Sequence, residues 1–462
     1  MARRYFGTDG IRGVANEKLT PELALSVGRA VGVWMAFKSH VFKGRVCIGR
    51  DTRRSGPMLE AALAAGLCSA GVDVVLLGVV PTPTVAHAAR MGEFDFGAIV
   101  SASHNPAPDN GIKFVTHEGK KTTDDVEEQF ESLIDSPPGA RPTGARVGTI
   151  AESRTAVEAY LDFLAAIVPE GLRGLKVAMD AAHGAAFQLG PRILERLGAT
   201  VILTGAEPDG MNINAEGGAT KPQTIQDLTV RTGADIGVAF DGDADRAVFS
   251  DRLGALINGD RTIGLWAAQR QSQGRLDPPI VVGTVMSNGG FEAYLREQGI
   301  GLDRAPVGDK YVSERIEATG AKIGGEQSGH IVFPERGPTG DGLVTMLEVL
   351  KVLRETGADS TAFSQAYAPW PQLLVNVGVS STDAWREAAS VMEKIAQGEA
   401  RLAGQGRVVV RASGTQPMVR VMVEAADAGL RDLVADEIVA AMQRDLGGHV
   451  HAKVDLTHAL GD

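Results

Sequence analysis

Three aspartates occupy alternate positions in the stretch DGDADR (241–246), directly behind the apolar run IGVAF (236–240). Carboxylates this close repel one another unless a cation lies among them. Hard oxygen ligands with a few open positions suit Mg²⁺ that also binds a phosphate oxygen. An EF-hand loop is disfavoured, because its sixth position would be Arg246 instead of glycine and its twelfth Arg252 instead of glutamate. The pattern predicts a metal site, with a solvated acidic turn as the alternative.

A second polar loop, SASHNP (101–106), follows the apolar run FGAIV. Its serines lack the flanking glycines of a G-x-S-x-G elbow and its histidine is their sequence neighbour, so a serine-hydrolase triad is disfavoured. A serine that carries a phosphoryl group needs a cation and positive side chains nearby. The acidic loop offers the cation and Lys113 a positive side chain. We therefore interpret the loop as a phosphoserine loop, with a polar turn as the alternative.

Two further loops carry side chains suited to sugars and phosphates. In GEQSGH (325–330), glycines surround Glu326, Ser328 and His330, and a carboxylate beside a hydroxyl suits hydrogen bonding to sugar hydroxyls. In RASGTQPMVR (411–420), two guanidiniums bracket small hydroxyl residues, a pattern typical of a phosphate cradle. The alternative for His330 is a structural histidine whose hydrogen bonds are satisfied within its loop. The alternative for RASGTQPMVR is a structural turn. The predicted cradle consists of Arg411, Ser413, Gly414, Thr415 and Arg420.

Apolar strands such as GRVCIGRD and FGAIVSA alternate with helical stretches, and this alternation restarts twice along the chain. It predicts sheets that are parallel or mixed and covered on both faces, with ligands at the carboxyl ends of strands. We predict an α/β fold: three related α/β domains with mixed sheets plus a smaller C-terminal α+β domain. Pro369 and Pro371 predict a hinge before that last domain. The predicted domains are 1–150, 151–256, 257–368 and 369–462, which carry the phosphoserine, metal, sugar and phosphate loops in that order.

The amino-acid composition of the chain excludes some classes of function. The chain has 462 residues and a net charge of −11, which argues against nucleic-acid binding but allows an anionic substrate in a local basic cleft. Cys47 and Cys68 lie in apolar stretches and read as buried reduced thiols. The N-terminus lacks a signal core, and no apolar run reaches the roughly 18 residues that span a bilayer. We expect a cytoplasmic location, no membrane partner and an undecided oligomeric state, a homodimer included.

Taken together, GTDGIRG (7–13), SASHNP, DGDADR, GEQSGH and RASGTQP occur in the order and spacing of the α-D-phosphohexomutase superfamily, which the chain resembles over essentially its whole length. NINAEGGAT (212–220), TVMSN (284–288) and the glutamine of GEQSGH look most like the bacterial branch that acts on glucosamine phosphates. The resemblance implies three related α/β domains and a smaller fourth domain around one central cleft.

The resemblance also implies a role for each loop. Ser103 would be the phosphoserine, and one Mg²⁺ per chain would lie between its phosphate and the three aspartates. The implied metal ligands are Ser103, Asp241, Asp243 and Asp245; the implied catalytic residues are Ser103, Lys113, His330 and Arg12; and the implied substrate-binding residues are Arg246, Glu326, Ser328, Arg411, Ser413, Gly414, Thr415 and Arg420.

The implied reaction converts glucosamine 6-phosphate to glucosamine 1-phosphate through a 1,6-bisphosphate, upstream of UDP-N-acetylglucosamine and cell-wall synthesis. A hexose 1,6-bisphosphate is the expected primer, and Lys113 and His330 are the candidate general bases. A phosphomannomutase/phosphoglucomutase is the nearest rival. A sugar-phosphate sensor without turnover and a phosphatase-like hydrolase are rivals from other classes.

Five positions depart from the pattern of the superfamily. Ala181 and His183 stand where relatives have Cys and Asn, and Gly217 stands where Cys is usual. Lys310 and Gln416 stand where Arg and Glu are common. None of these positions is an implied ligand or the phosphoserine, so the implied activity is unaffected while phosphate affinity is open to tuning.

Overall fold

The computed structural model describes residues 4–7, 9–38, 44–135, 141–413 and 417–457. The chain divides into two compact units. One unit contains residues 1–259 and 322–363, and the other contains residues 260–321 and 364–462. In the part of the chain that is described, every helix is too short or too polar to cross a membrane.

The first segment of the chain forms a mixed sheet with strand order β1-β5-β4-β2-β3-β6. The strands β4, β2, β3 and β6 are parallel, whereas β5 is antiparallel to both β4 and β1. The elements are β1 (Ile11–Val14), α1 (Pro21–Lys38), β2 (Arg45–Arg50), α2 (Gly56–Ser69), β3 (Asp73–Val79), α3 (Thr82–Ala88), a single turn (Ala89–Glu93), β4 (Phe96–Val100), β5 (Asp109–Thr116), α4 (Asp124–Asp135), a single turn (Gly144–Arg146) and β6 (Ile150–Glu152).

The second segment repeats this plan with strand order β11-β10-β9-β7-β8. Its strands β9, β7 and β8 are parallel, and β10 returns antiparallel to β9. The elements are α5 (Thr155–Ala165), β7 (Lys176–Asp180), α6 (Ala186–Arg196), β8 (Thr200–Thr204), α7 (Gln223–Thr232), β9 (Ile236–Phe240), β10 (Ala247–Asp251) and β11 (Leu256–Ile257).

The third segment contributes to both compact units. Its strands β12 and β13 pair in parallel in the second unit, and β14 and β15 form a short antiparallel pair in the first. The elements are α8 (Gly259–Ser272), β12 (Ile280–Thr284), α9 (Gly289–Glu297), β13 (Gly301–Ala305), α10 (Asp309–Thr319), β14 (Gly324–Gly325), β15 (Ile331–Val332), α11 (Gly342–Thr356) and α12 (Thr361–Ser364).

The last segment is a small α+β domain whose sheet is antiparallel throughout, in the order β17-β18-β16-β19. Helices α13 and α14 pack against the sheet through one apolar core. The elements are β16 (Gln372–Gly378), a single turn (Ala384–Arg386), α13 (Ala389–Leu402), β17 (Gly406–Ala412), β18 (Met418–Ala425), α14 (Ala428–Leu446) and β19 (His449–Asp455). The predicted fold class, with mixed sheets followed by a smaller α+β domain, is confirmed.

All four polar loops predicted from the sequence connect two consecutive antiparallel strands. The strand pairs are β4 and β5, β9 and β10, β14 and β15, and β17 and β18. The strands that lead into the first two loops, β4 and β9, are buried along their whole length. Such strands are rigid, so the polar residues at their carboxyl ends start from fixed positions.

A buried ion pair ties the C-terminal sheet to the loop after β12 in the second unit. The carboxylate of Glu424 on β18 is buried, lies 3.0 Å from Arg407 Nε and accepts the N–H of Gly289 at 2.9 Å. Arg407 also donates to the carbonyl oxygen of Val285 at 2.6 Å. The ion pair is therefore part of the packing between residues 284–290 and β17–β18.

We expect the variant Glu424→Ala to unfold at a clearly lower urea concentration than the wild type. It leaves Arg407 without its carboxylate, and breaking a buried ion pair typically costs about 3–5 kcal/mol. Asp436→Ala is the control, because Asp436 pairs with Lys453 at 3.1 Å on the exposed surface, where a pair contributes about 0–1 kcal/mol. Equal unfolding midpoints for the two variants would contradict the role of Glu424.

Candidate active site

The side chain of Ser103 lies at the end of β4 and points to the acidic loop. Its Oγ donates a hydrogen bond of 2.7 Å to Asp241 Oδ2, although 138 residues separate the two in sequence. Ser103 is 3% exposed and has a φ of 51°. This left-handed conformation is uncommon for a residue other than glycine, and it occurs often at functional sites.

The three aspartates that the sequence singles out lie together after β9. One ligand oxygen from each of Asp241, Asp243 and Asp245 falls within 4.8 Å of the others. The Oδ1 atoms of Asp243 and Asp245 are buried and make no hydrogen bond to the described residues. Buried, unpartnered carboxylate oxygens that converge on one point fit a bound cation, and oxygen-only ligands fit a hard one.

The pKa values of Asp241 and Asp245 move in opposite directions. Burial raises the pKa of Asp241 well above its ordinary value, and the negative charges of Asp245 and Asp243 raise it further. Burial also acts to raise the pKa of Asp245, but His330, Lys113 and Arg246 more than offset this and hold it well below its ordinary value. A cation among these carboxylates would favour the ionised form of Asp241.

Lys113 places a positive charge beside the aspartates. Its Nζ donates to Asp243 Oδ2 at 2.8 Å and lies 3.9 Å from Asp245 Oδ2. Burial acts to lower the pKa of Lys113, but the carboxylates of Asp243, Asp9 and Asp245 raise it well above its ordinary value. Arg12 on β1 forms an ion pair with Asp9, which also contacts Lys121 at 3.1 Å. The motif GTDGIRG thus brings both a carboxylate and a guanidinium to this side of the site.

The third polar loop lies in the same compact unit as the first two. His330 pairs with Arg246 across an antiparallel bridge, and its Nδ1 lies 3.7 Å from Asp245 Oδ2. The backbone N–H of Glu326 donates to the carbonyl oxygen of His330 at 3.0 Å, which closes the loop. The Oγ of Ser328 is buried and makes no hydrogen bond to the described residues. Its hydroxyl is thus available to a ligand.

The phosphate loop lies in the other compact unit. Arg411 on β17 and Arg420 on β18 are cross-strand partners, so two guanidiniums stand side by side. Burial, and then the positive charge of Arg420, lowers the pKa of Arg411. Ser413 Oγ and Arg420 Nε are buried and make no hydrogen bond to described residues. Paired like charges beside unpartnered donors suit an anion. Gly414 and Thr415 lie outside the described residues.

Two residues that the sequence analysis did not single out each fix one of the two central loops. Thr82, at the start of α3, donates its hydroxyl to Asp243 Oδ2 at 2.6 Å and its N–H to the Asp243 carbonyl oxygen at 2.9 Å. Asn214 donates from Nδ2 to the carbonyl oxygens of Ser103 and Asn105 at 2.9 and 3.2 Å. The motif NINAEGGAT, which contains Asn214, was the available signal for the second of them.

Close approach of the loops also requires a glycine in the acidic motif. A β-carbon at Gly242 would lie 2.5 Å from the carbonyl oxygen of Ser103 and 2.8 Å from Asn214 Nδ2. Both contacts are shorter than a carbon atom tolerates, and one of them is to backbone. The glycine of DGDADR therefore sets how near the aspartates come to Ser103.

One departure from the superfamily pattern has a steric explanation. A β-carbon at Gly217 would lie 2.2 Å from Asp180 Oδ2, and that carboxylate also accepts the N–H of Gly218 at 2.8 Å. A larger residue at position 217 would have to displace Asp180. Nothing in the structure explains Lys310, and Gln416 lies outside the described residues.

Comparison with protein families matches the chain in four consecutive parts. Each part matches a domain model described as phosphoglucomutase/phosphomannomutase. The matches are α/β/α domain I at residues 3–138, α/β/α domain II at residues 158–254, α/β/α domain III at residues 258–372 and the C-terminal domain at residues 374–441.

Individual proteins and structures are similar over nearly the whole chain. A phosphoglucosamine mutase from Symbiobacterium thermophilum is 47% identical over 448 residues, 96% of this chain and 99% of that protein. A phosphoglucomutase/phosphomannomutase family protein from Burkholderia thailandensis has a similar structure, with a TM-score of 0.80 and 27% identity over 96% of this chain and 98% of that one. The structure of Aspergillus fumigatus N-acetylphosphoglucosamine mutase in complex with GlcNAc-6P and magnesium has a TM-score of 0.63 at 20% identity over 96% of both chains, which shows a shared fold.

We expect the wild-type protein to bind Mg²⁺ and the variant Asp243→Asn to bind it at least about tenfold more weakly. Losing a residue that only supports a metal ligand typically costs 10–100-fold in affinity, and Asp243 offers a ligand oxygen itself. Isothermal titration calorimetry measures both affinities. Asp227→Asn, an equal change at an exposed position on α7, serves as the control. Identical Mg²⁺ titrations of the wild type and Asp243→Asn would show that the aspartates hold no metal.

Proposed function

The chain belongs to the phosphoglucomutase/phosphomannomutase family, and from this membership we propose that it interconverts glucosamine 6-phosphate and glucosamine 1-phosphate through a phosphoserine at Ser103. The observation that carries the proposal is the buried contact between Ser103 Oγ and Asp241 at the edge of a three-carboxylate group. The relative named phosphoglucosamine mutase, at 47% identity over almost its whole length, supports the choice of substrate.

The reaction consists of two phosphoryl transfers in opposite directions. In the first, the bond between phosphorus and Ser103 Oγ breaks while a new bond forms to the free hydroxyl oxygen of the sugar monophosphate. The product is a 1,6-bisphosphate and an unphosphorylated serine. In the second transfer, the other phosphate of this intermediate returns to Ser103, so no phosphate is gained or lost. A hexose 1,6-bisphosphate is therefore also a chemically competent primer for unphosphorylated Ser103.

The groups around Ser103 stabilise the charge that shifts between oxygen atoms during transfer. We propose that Asp241, Asp243, Asp245 and the Ser103 phosphate would hold Mg²⁺, which when bound would supply positive charge to stabilise the transferring group. Lys113 adds a fixed positive charge, because its ammonium group is already buried against Asp243 at 2.8 Å. A charge held in place before the substrate arrives needs no reorganisation during the reaction.

Of the two candidate acceptors for the proton of the attacking sugar hydroxyl, Lys113 and His330, we propose His330, because the carboxylates around Lys113 raise its pKa and keep it an ammonium group without a lone pair. Both lie within 4 Å of Asp245, at 3.9 and 3.7 Å. We propose that Arg12 is a catalytic cation near the reacting groups, where it pairs with Asp9, and that Arg246, whose backbone N–H donates to Asp241 Oδ1 at 3.2 Å, binds the substrate on the same side.

We propose that the sugar and its second phosphate are held by the two remaining loops. Glu326 and the unpartnered hydroxyl of Ser328 are suited to sugar hydroxyls. The paired guanidiniums on β17 and β18, with Ser413 beside them, are suited to the phosphate that is not transferred. The full proposed cradle is Arg411, Ser413, Gly414, Thr415 and Arg420.

The variant Ser103→Ala is expected to lose mutase turnover by at least about 10³-fold, as for the loss of a nucleophile, while its unfolding midpoint stays near that of the wild type. Intact mass spectrometry after incubation with glucose 1,6-bisphosphate should find one phosphate on the wild type and none on the variant. Ser132→Ala, a surface change on α4, is the control for the substitution itself. A Ser103→Ala protein with near-normal turnover would falsify the phosphoserine mechanism.

A phosphomannomutase/phosphoglucomutase is the second candidate function. The description of the matching family models and the name of the Burkholderia thailandensis protein favour it. The same loops can handle glucose or mannose phosphates, because a C2 amine leaves no distinct mark in their sequences.

We expect kcat/KM to be highest for glucosamine 1-phosphate and lower for glucose 1-phosphate and mannose 1-phosphate. All three substrates are to be compared on one phosphorylated preparation with saturating Mg²⁺. A higher kcat/KM for mannose 1-phosphate would transfer the protein to the second function. Release of inorganic phosphate in place of an isomerised sugar would assign it to the hydrolases.

A further inference from the structure

A fully buried arginine lies beneath the loop that carries Ser103. Arg53 is 0% exposed, and its Nε donates to Asp51 Oδ2 at 2.8 Å. Its four remaining N–H groups donate to backbone carbonyl oxygens of this loop and of the first residue of β5. The acceptors are Ser103 at 2.9 Å, Asn105 at 2.7 Å, Asp109 at 2.9 Å and Pro106. Every donor of this guanidinium is thus used on one loop and its single carboxylate partner.

The contacts close a ring around the backbone of Ser103. The N–H of Ser103 donates to Ser101 Oγ at 2.9 Å, and the hydroxyl of Ser101 donates to Asp51 Oδ2 at 2.6 Å. Asp51 accepts from Arg53, and Arg53 donates back to the carbonyl oxygen of Ser103. Both polar backbone groups of Ser103 are therefore fixed by the same buried network.

The ring opposes the conformational preference of the residue it holds. Serine disfavours the left-handed region, yet Ser103 has a φ of 51°. Relaxation of this angle would rotate Cβ and Oγ away from Asp241. The carbonyl contact from Arg53 and the N–H contact to Ser101 resist that rotation from both sides of the residue.

Stability alone is a weak reason for this arrangement. A buried ion pair such as Arg53 with Asp51 can often be replaced by packed apolar residues without loss of stability. Apolar side chains, however, would leave four convergent carbonyl oxygens without donors and would not specify the orientation of Ser103. The guanidinium of Arg53 supplies donors to all four carbonyl oxygens and also specifies the orientation of Ser103, because its N–H groups point in fixed directions.

We propose that Arg53, with Asp51 and Ser101, is a positioning unit that holds Ser103 ready for phosphoryl transfer before the sugar binds. This inference rests on the proposed function of Ser103 as the phosphoryl carrier. The three side chains of the unit are buried, and none of them is among the residues that the proposed function places against the sugar or the transferring phosphate. Loss of the unit therefore lowers the rate of transfer and leaves sugar affinity nearly unchanged.

Two variants test the proposal. Arg53→Lys keeps the positive charge but cannot donate to four carbonyl oxygens at once, and Ser101→Ala removes one hydroxyl from the ring with the smallest change in packing. The matched controls are Arg54→Lys, whose side chain is exposed next to Arg53, and Ser69→Ala on α2.

For both test variants we expect kcat to fall by about 10²-fold, as for a reacting group displaced by about 1 Å, with KM within about threefold of wild type. The ³¹P resonance of phospho-Ser103 should shift and broaden, and amides 101–105 should exchange hydrogen faster than in the controls, with both variants still folded at the assay temperature. Turnover within threefold of wild type in Ser101→Ala, or a fall in kcat that is fully accounted for by the unfolded fraction of the variant, overturns the proposal. If Arg53→Lys does not fold, Ser101→Ala decides.

The same experiment separates this inference from the proposed function. A wild-type protein that does not interconvert glucosamine phosphates refutes the function. In that case the exchange rates of amides 101–105 still decide whether the ring holds the loop. Equal rates in Ser101→Ala, Ser69→Ala and the wild type overturn the positioning role, and selectively faster exchange in Ser101→Ala supports it.

Discussion

Mutual repulsion among three closely spaced carboxylates is the constraint on which the rest of the first compact unit depends. Asp241, Asp243 and Asp245 each bring one oxygen within 4.8 Å of the others, and Asp241 and Asp243 are buried. Such a group is unfavourable by itself, and neighbouring elements contribute hydrogen-bond donors and positive charge. Lys113 comes from the first segment and His330 from the third, and Thr82 adds a hydroxyl from the start of α3. The need for positive charge thus draws three segments of the chain to one point.

A second constraint acts on the nucleophile itself. The serine must approach the acidic loop closely, which requires Gly242 in that loop and a left-handed backbone at Ser103. Asn214 and Arg53 both bind the carbonyl oxygen of Ser103, one from the second segment and one from the first. The conformation is therefore over-determined, as expected where a strained residue serves a function. Electrostatics gathers the loops, and this backbone network sets their orientation.

The sequence predicted the parts of the site whose signal is local. Apolar strands that end in polar loops marked Ser103 and the three aspartates, and in the structure these residues lie together. The residues that orient them act on groups far away in the sequence, 161 residues for Thr82 and 111 for Asn214. Thr82 carried no local signal, and the motif NINAEGGAT marked Asn214 without indicating its partner. In GRDTRRSG, the local sequence does not distinguish Arg53 from Arg54, and both would be expected in solvent. Only the packed fold shows that Arg53 is buried and Arg54 exposed.

At the connection to the last segment, too, the local sequence predicted one feature but not the long-range contacts that restrain it. Two prolines predicted a hinge, and Trp370 lies between them. In the structure, the side chain of Asn288 bonds both the N–H and the carbonyl oxygen of Trp370, at 2.9 and 3.0 Å. The ion pair of Arg407 with Glu424 binds the neighbouring residues of the same loop. Bending at this connection must break these contacts or carry residues 284–290 along with the C-terminal sheet. Because separating the loop from the sheet would leave the buried carboxylate of Glu424 and the guanidinium of Arg407 without their hydrogen bonds to the loop backbone, movement of the loop and the sheet together is the route that the contacts favour.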